Sequence, residues 1–150
     1  MIKKIYETHL QVKNLNDSID FYQNKLGLKL GTITRNAAFL WVGDLGHQFL
    51  GLWEVSNNTE IQPRHFAFEV ELDFLKHSKI WLEEKGITVI GSQGKSNIEP
   101  IVQIWMPAAS VYFLDIDGNK LEFISMLDDT PKELDYVPYL SEWELLNNLE

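Results

Sequence analysis

The chain has 150 residues, 45% of them hydrophobic, with 5 Trp, 5 Tyr and 8 Phe, which is enough to build the core of one domain. Its formal net charge of −9 opposes phosphate backbones and anionic headgroups, so neither nucleic acid nor a membrane surface is an expected partner. The absence of cysteine excludes disulfides, thiolate metal ligands and a cysteine nucleophile. With an N-terminus, MIKKIYETHLQV, that lacks the apolar segment of a signal peptide, and no apolar run near the ~20 residues of a bilayer span, a cytoplasmic protein is expected.

Residues 7–12 alternate, with Thr8, Leu10 and Val12 on one face and Glu7, His9 and Gln11 on the other. NLNDSIDFYQNKLG predicts a helix, capped by Asn16 or Asp17, striped by Ile19, Tyr22 and Leu26, and ended by Gly27. Strands are predicted at 28–34, 38–42 and 48–55, followed by a polar loop over 56–64. The plan then repeats. HFAFEV (65–70) reads as a strand, LDFLKHSKIWLEEKG (72–86) as an amphipathic helix, and 87–91, a stretch around 101–106, 110–116 and 120–126 as strands, with DIDGN as the last hairpin turn. VIGSQGKSN lacks the first glycine of a phosphate-binding loop and is read as a flexible loop. The tail (128–150) carries Ser141 and Glu144 at the spacing of a capping box for a short final helix.

SIDFYQNKLGL (18–28) aligns with HSKIWLEEKGI (77–87), and His9 and His65 both fall on the first strand of their halves, 56 residues apart. The fold class expected is therefore α+β, two βαβββ modules (5–55 and 64–126) within a domain spanning 1–127, forming a cupped mixed sheet with a concave surface. Polar residues facing that concavity are the site candidates. His9, His65 and Glu122, the last on the face of KLEFIS shared with Lys120 and Ile124, supply two imidazoles and a carboxylate, a facial set for one divalent ion. Such nitrogen and oxygen ligands suit Mn, Fe, Co, Ni or Zn without choosing among them. Glu69 and Gln11 share strand faces with the histidines and are candidates to orient a substrate or act as base. Phe49, Trp53, Trp41, Phe68, Trp105 and Tyr112 are candidates to line an apolar small-molecule pocket.

THLQV, NLNDSIDFYQNKLGLKL, RHFAFEV and, most specifically, VYFLDIDGNKLEFIS resemble the signatures of the vicinal oxygen chelate superfamily, over roughly residues 5–127. The superfamily includes glyoxalase I, extradiol dioxygenases, fosfomycin-modifying transferases, methylmalonyl-CoA epimerase and bleomycin-resistance proteins. The resemblance implies one metal held at the positions of His9, His65 and Glu122, a substrate that chelates it through adjacent oxygens, and a homodimer. It also implies departures. Glyoxalase I has a fourth ligand in the last strand of its first half, where this chain has Gly51 between Phe49 and Trp53, which argues against that reaction in its standard form. The only arginines, Arg35 and Arg64, give little to a phosphonate pocket, whereas His47 and Tyr112 are of the residue types that assist extradiol dioxygenases; His77 matches a helix position and reads as a surface residue. A metal-dependent lyase or isomerase on a small molecule is the leading expectation. A metal-free binding protein of the bleomycin-resistance type is the alternative.

Overall fold

The structure, a computed structural model, describes residues 1–149. Its elements in chain order are β1 (Glu7–Val12), α1 (Leu15–Ile19), β2 (Lys29–Ile33), β3 (Ala37–Val42), β4 (Gln48–Glu54), β5 (His65–Glu69), α2 (Leu72–Glu84), β6 (Val89–Ile90), β7 (Ile101–Gln103), β8 (Ala108–Leu114), β9 (Lys120–Met126) and α3 (Leu140–Asn148). They form two compact units, one of residues 1–64 with 116–118, the other of 65–115 with 119–149. The tail groups with the second unit.

In the first unit a mixed sheet runs β1-β4-β3-β2, with β1 parallel to β4 and the remaining pairs antiparallel. One face buries Leu10, Val12, Ala38, Leu40, Leu50 and Leu52 against Leu15, Phe21 and Tyr22 of the helix. That helix starts earlier than the sequence suggests. Asn14 is its cap, its side chain accepting from the Asp17 N–H at 2.9 Å, because the Asn14 backbone is already extended and can turn its carboxamide inward. From Asp20 to Lys25 the turns widen into a π-helix, with Leu26 N–H reaching back to the Phe21 carbonyl at 3.0 Å. The wider turn shifts the phase. The buried stripe is Leu15, Ser18, Phe21 and Tyr22, and Ile19 and Leu26 are only partly covered.

The second unit orders its sheet β5-β9-β8-β6, with β7 also paired to β8. Phe66, Phe68 and Phe123 lie on the face covered by α2, where Phe123 meets Phe74 and Trp81 at 5.4 and 6.2 Å. Gly27 and Gly86, just past the two helices, take φ of +87° and +69°, the left-handed conformation that only glycine adopts cheaply. The segment read as a flexible loop is instead a tight hairpin: Ser92 and Lys95 exchange backbone hydrogen bonds of 3.1 and 2.9 Å around Gln93 and Gly94. The tail secures it, since Lys95 Nζ sits 4.5 Å from the Tyr139 ring centroid and Ser96 Oγ is 3.0 Å from the Tyr139 hydroxyl. The capping box of α3 is formed by Tyr139 and Glu142 rather than by Ser141 and Glu144. Tyr139 N–H donates to Glu142 Oε2 at 2.7 Å, whereas the Ser141 hydroxyl donates to Glu99. Among the described residues no helix is long and apolar enough to cross a membrane.

Candidate metal centre and substrate face

Strand alternation places His65, Ala67 and Glu69 on the face of the second sheet opposite α2, with Lys120, Glu122 and Ile124 of β9 beside them. His65 pairs across the strands with Lys120, and its Nδ1 lies 2.7 Å from the Lys120 carbonyl oxygen. A carbonyl can only accept, so Nδ1 carries the proton and Nε2 is the outward nitrogen. Nε2 is 3.2 Å from Glu122 Oε2, and the Glu122 side chain is only 7% exposed. A lone pair facing a buried carboxylate at this distance is repulsive unless a proton or a cation stands between them. The pair thus suits a divalent ion, with a backbone carbonyl fixing the tautomer of the imidazole from behind. Tyr112, opposite Glu122 on β8, stacks on His65 with centroids 6.0 Å apart. Burial, and then the negative charge of Glu122, hold its phenol above the usual tyrosine range, so it stays a proton donor. Gln103 donates to its oxygen at 2.9 Å.

His9 is arranged the opposite way. On the first sheet it lies directly across from Gly51, and a Cβ on Gly51 would fall 2.2 Å from His9 Nδ1. The missing side chain is what lets the imidazole lie flat over the strand. The Trp53 indole N–H donates to Nδ1 at 2.9 Å. An indole nitrogen can only donate, so Nδ1 is the acceptor here and the ring proton of the neutral imidazole is on Nε2, 3.6 Å from Glu7 Oε1. Around the ring stand Phe39, Phe49 and Trp53, at centroid distances of 6.2, 6.1 and 6.1 Å. Phe39, Trp41 and Phe49, with Gly31 and Thr32, line an open recess of about 470 Å³.

The predicted residues fall into two groups, one in each unit. His65, Glu122 and Tyr112 come together in the second unit, and His9, Trp41, Phe49 and Trp53 share one face of the first. Among the described residues no group of three His, Cys, Asp or Glu side chains is placed to hold a metal; His65 and Glu122 meet within the second unit, and His9 belongs to the first. Phe68 is on the wrong face for a substrate contact: it pairs with Phe123 and packs on the α2 side, because it is three residues from His65 and strand side chains alternate. Trp105 is at the tip of the β7–β8 turn, 70% exposed. Glu69 is exposed at the end of β5 and Gln11 lies across from Trp53. His47 is on an exposed turn, and His77 on the exposed side of α2, as a surface residue. Counted from the histidine of each half, the partner of Glu122 is Trp53 and that of Lys120 is Gly51, so the expected fourth-ligand position was set one pair too early. Phe39 and Lys120 were not singled out from sequence. Both were signalled by period two, Phe39 from Trp41 and Lys120 from Glu122.

A sequence model of the "Glyoxalase/Bleomycin resistance protein/Dioxygenase superfamily" matches residues 4–123. The chain is 27% identical over 130 residues to the metallothiol transferase FosB of Staphylococcus epidermidis, covering 81% of this chain and 83% of the relative. It is 31% identical over 131 residues to the glutathione transferase FosA of Serratia marcescens, covering 81% and 80%. Among solved structures, an integron cassette protein from the mobile metagenome of the Halifax Harbour sewage outfall superimposes with a TM-score of 0.71 at 36% identity, over 83% of this chain and all of that one. The lactoylglutathione lyase of Agrobacterium tumefaciens shares the fold with a TM-score of 0.64 at 22% identity, over 83% and 94%. Repeated modules, paired imidazole and carboxylate, and sequence match agree: the chain belongs to the glyoxalase/bleomycin resistance protein/dioxygenase superfamily.

Proposed function

We propose that this protein is a divalent-metal-dependent enzyme acting on a small molecule through two neighbouring oxygens, with His65, Glu122 and His9 as ligands. The observation that carries the reading is the His65–Glu122 pair, whose nitrogen lone pair and buried carboxylate face each other 3.2 Å apart. When bound, the ion would polarise the chelating oxygens as a Lewis acid. The chain's own part is to hold His65 in the Nδ1–H tautomer through the Lys120 carbonyl and to offer a neutral Tyr112 phenol as a donor to an oxygen gaining negative charge. The aromatic face around His9 would take the apolar body of the substrate. The names of the relatives favour group transfer over the lyase or isomerase chemistry that the sequence suggested. Because this chain has no cysteine, a thiol nucleophile would have to come from a second substrate.

The test is metal content by plasma mass spectrometry on untagged protein. His65→Ala, Glu122→Gln and His9→Ala should each lose most of one equivalent with circular dichroism unchanged; a full equivalent retained in all three would refute the ligand assignment. Mixing His9→Ala with His65→Ala chains adds a second result. Where two copies share one site, the mixture regains part of the metal, and where each chain has its own, it regains none.

A metal-free binding role keeps one observation in its favour, the occupied Nδ1 of His9. For Nε2 to ligate a metal the proton must move to Nδ1, and the Trp53 hydrogen bond is lost. Trp53→Phe should therefore tighten metal binding by roughly fivefold, one hydrogen bond's worth. An unchanged affinity in isothermal titration would show that this bond does not oppose loading.

A further inference from the structure

We propose that Gln103 is a positioning residue for Tyr112: its carboxamide N–H fills the accepting side of the phenol oxygen and so fixes the phenol proton on the side of Glu122. What that proton does for a bound substrate deepens the proposed function and rests on it; the direction of the hydrogen bond does not.

Gln103 ends β7 and pairs with Ala108 of β8. Side chains two residues apart share a face, so Gln103 emerges on the same side of the sheet as Ser110 and Tyr112. It leans along β8 to bring Nε2 within 2.9 Å of the Tyr112 oxygen. A phenol has one proton, which lies near the ring plane and can point to either side of the oxygen. An amide nitrogen only donates, so the side that Nε2 occupies is closed to that proton. Glu122, directly across the strand pair, meets the phenol and as a carboxylate only accepts. The order of donors therefore runs from Gln103 to Tyr112 to Glu122. Once a cation shares the charge of Glu122, the same proton is available to an oxygen gaining negative charge.

β7 is three residues long, and the tail fixes its place. The Val102 N–H donates to the Pro138 carbonyl at 2.9 Å. From the tail, the Lys132 and Leu140 N–H groups donate to the carbonyls of Ile104 and Pro100 at 3.2 and 2.8 Å. Gln103 thus sits between anchored neighbours, and through it the tail, which lies beyond the matched residues 4–123, reaches the candidate site.

The first measurement is made without metal. The Raman Fermi doublet of a tyrosine separates a phenol that accepts a hydrogen bond from one that only donates, and subtracting the spectrum of Tyr112→Phe isolates Tyr112. An accepting phenol is expected in wild type, and one that only donates in Gln103→Leu and Gln103→Glu, with circular dichroism unchanged. A Tyr112 doublet that neither variant moves would overturn the proposal. The second is isothermal titration of acetohydroxamate, a chelator with two neighbouring oxygens, into manganese-loaded protein. Gln103→Glu, whose carboxylate turns the phenol proton toward itself, should bind it about tenfold more weakly, one charge-assisted hydrogen bond's worth. In a Tyr112→Phe background the same substitution should change nothing further. An equal loss there, or no loss in the first place, would show that Gln103 does not act through the phenol and would overturn its positioning role. The expected doublets in a protein that takes up no metal would keep the positioning and refute the metal reading; full metal uptake with an unmoved doublet would do the reverse.

Discussion

Gly51→Ala should unseat His9. The added methyl carbon would lie 2.2 Å from Nδ1 and 2.8 Å from Cε1, distances that only displacement of the ring can relieve. The backbone itself is not strained, because Gly51 is not among the glycines with positive φ. The imidazole must leave the strand, giving up the Trp53 hydrogen bond and its edge contacts with Phe39 and Phe49. The cost to stability should be about 1–3 kcal/mol, as for an extra methyl group in a packed site. The consequence for function is larger, since a ligand displaced by an ångström or more no longer points where the metal requires. Metal affinity should fall at least about tenfold while the fold is retained, because the displacement of His9 outweighs the release of its Nδ1 from Trp53. Two readouts separate the steps: the nitrogen chemical shifts of His9 report its seating in metal-free protein, and titration with manganese reports the ligand set. A Gly51→Ala protein with His9 shifts and metal affinity like wild type would show that the glycine is not a seat.

Trp143→Ala should cost more stability than any change at the site. Trp143 is fully buried in the second unit, and its Nε1–H donates to Asp129 Oδ2 at 2.7 Å. Removing the indole leaves a cavity and an unpaired carboxylate, about 3–5 kcal/mol in effect. For a chain of this size that corresponds to a fall in melting temperature on the order of 10 °C. Trp143→Phe, which keeps most of the apolar volume and loses the N–H, should recover more than half. A melting temperature within about 2 °C of wild type in Trp143→Ala would mean that the tail is an appendage and not part of the core.

How much of this was legible in the sequence differs from residue to residue. The two glycines that end the helices could be read because the left-handed conformation is nearly a private property of glycine. The helix start at Asn14 was misplaced because NLND offers three capping side chains, and only the extended backbone of Asn14 selects one. The buried stripe of that helix departs from the 3.6-residue period because a π-turn shifts the phase, which the residue spacing does not signal. At the candidate site, Phe68 was placed among substrate contacts for its residue type, although counting alternation from His65 already puts it on the other face.

What the sequence determined by itself was the duplicated βαβββ plan, the superfamily, and the pairing in type of His65 with Glu122, since these depend on local period and on a motif long enough to be specific. Strand register was decided only by the tertiary structure. It set His9 over Gly51, made Trp53 rather than Gly51 the counterpart of Glu122, and brought the Lys120 carbonyl to His65 Nδ1. The proton positions on the two imidazoles follow from that register. A sequence names a histidine, but which of its nitrogens is free depends on whether the neighbour across the strand, or on it, donates or accepts.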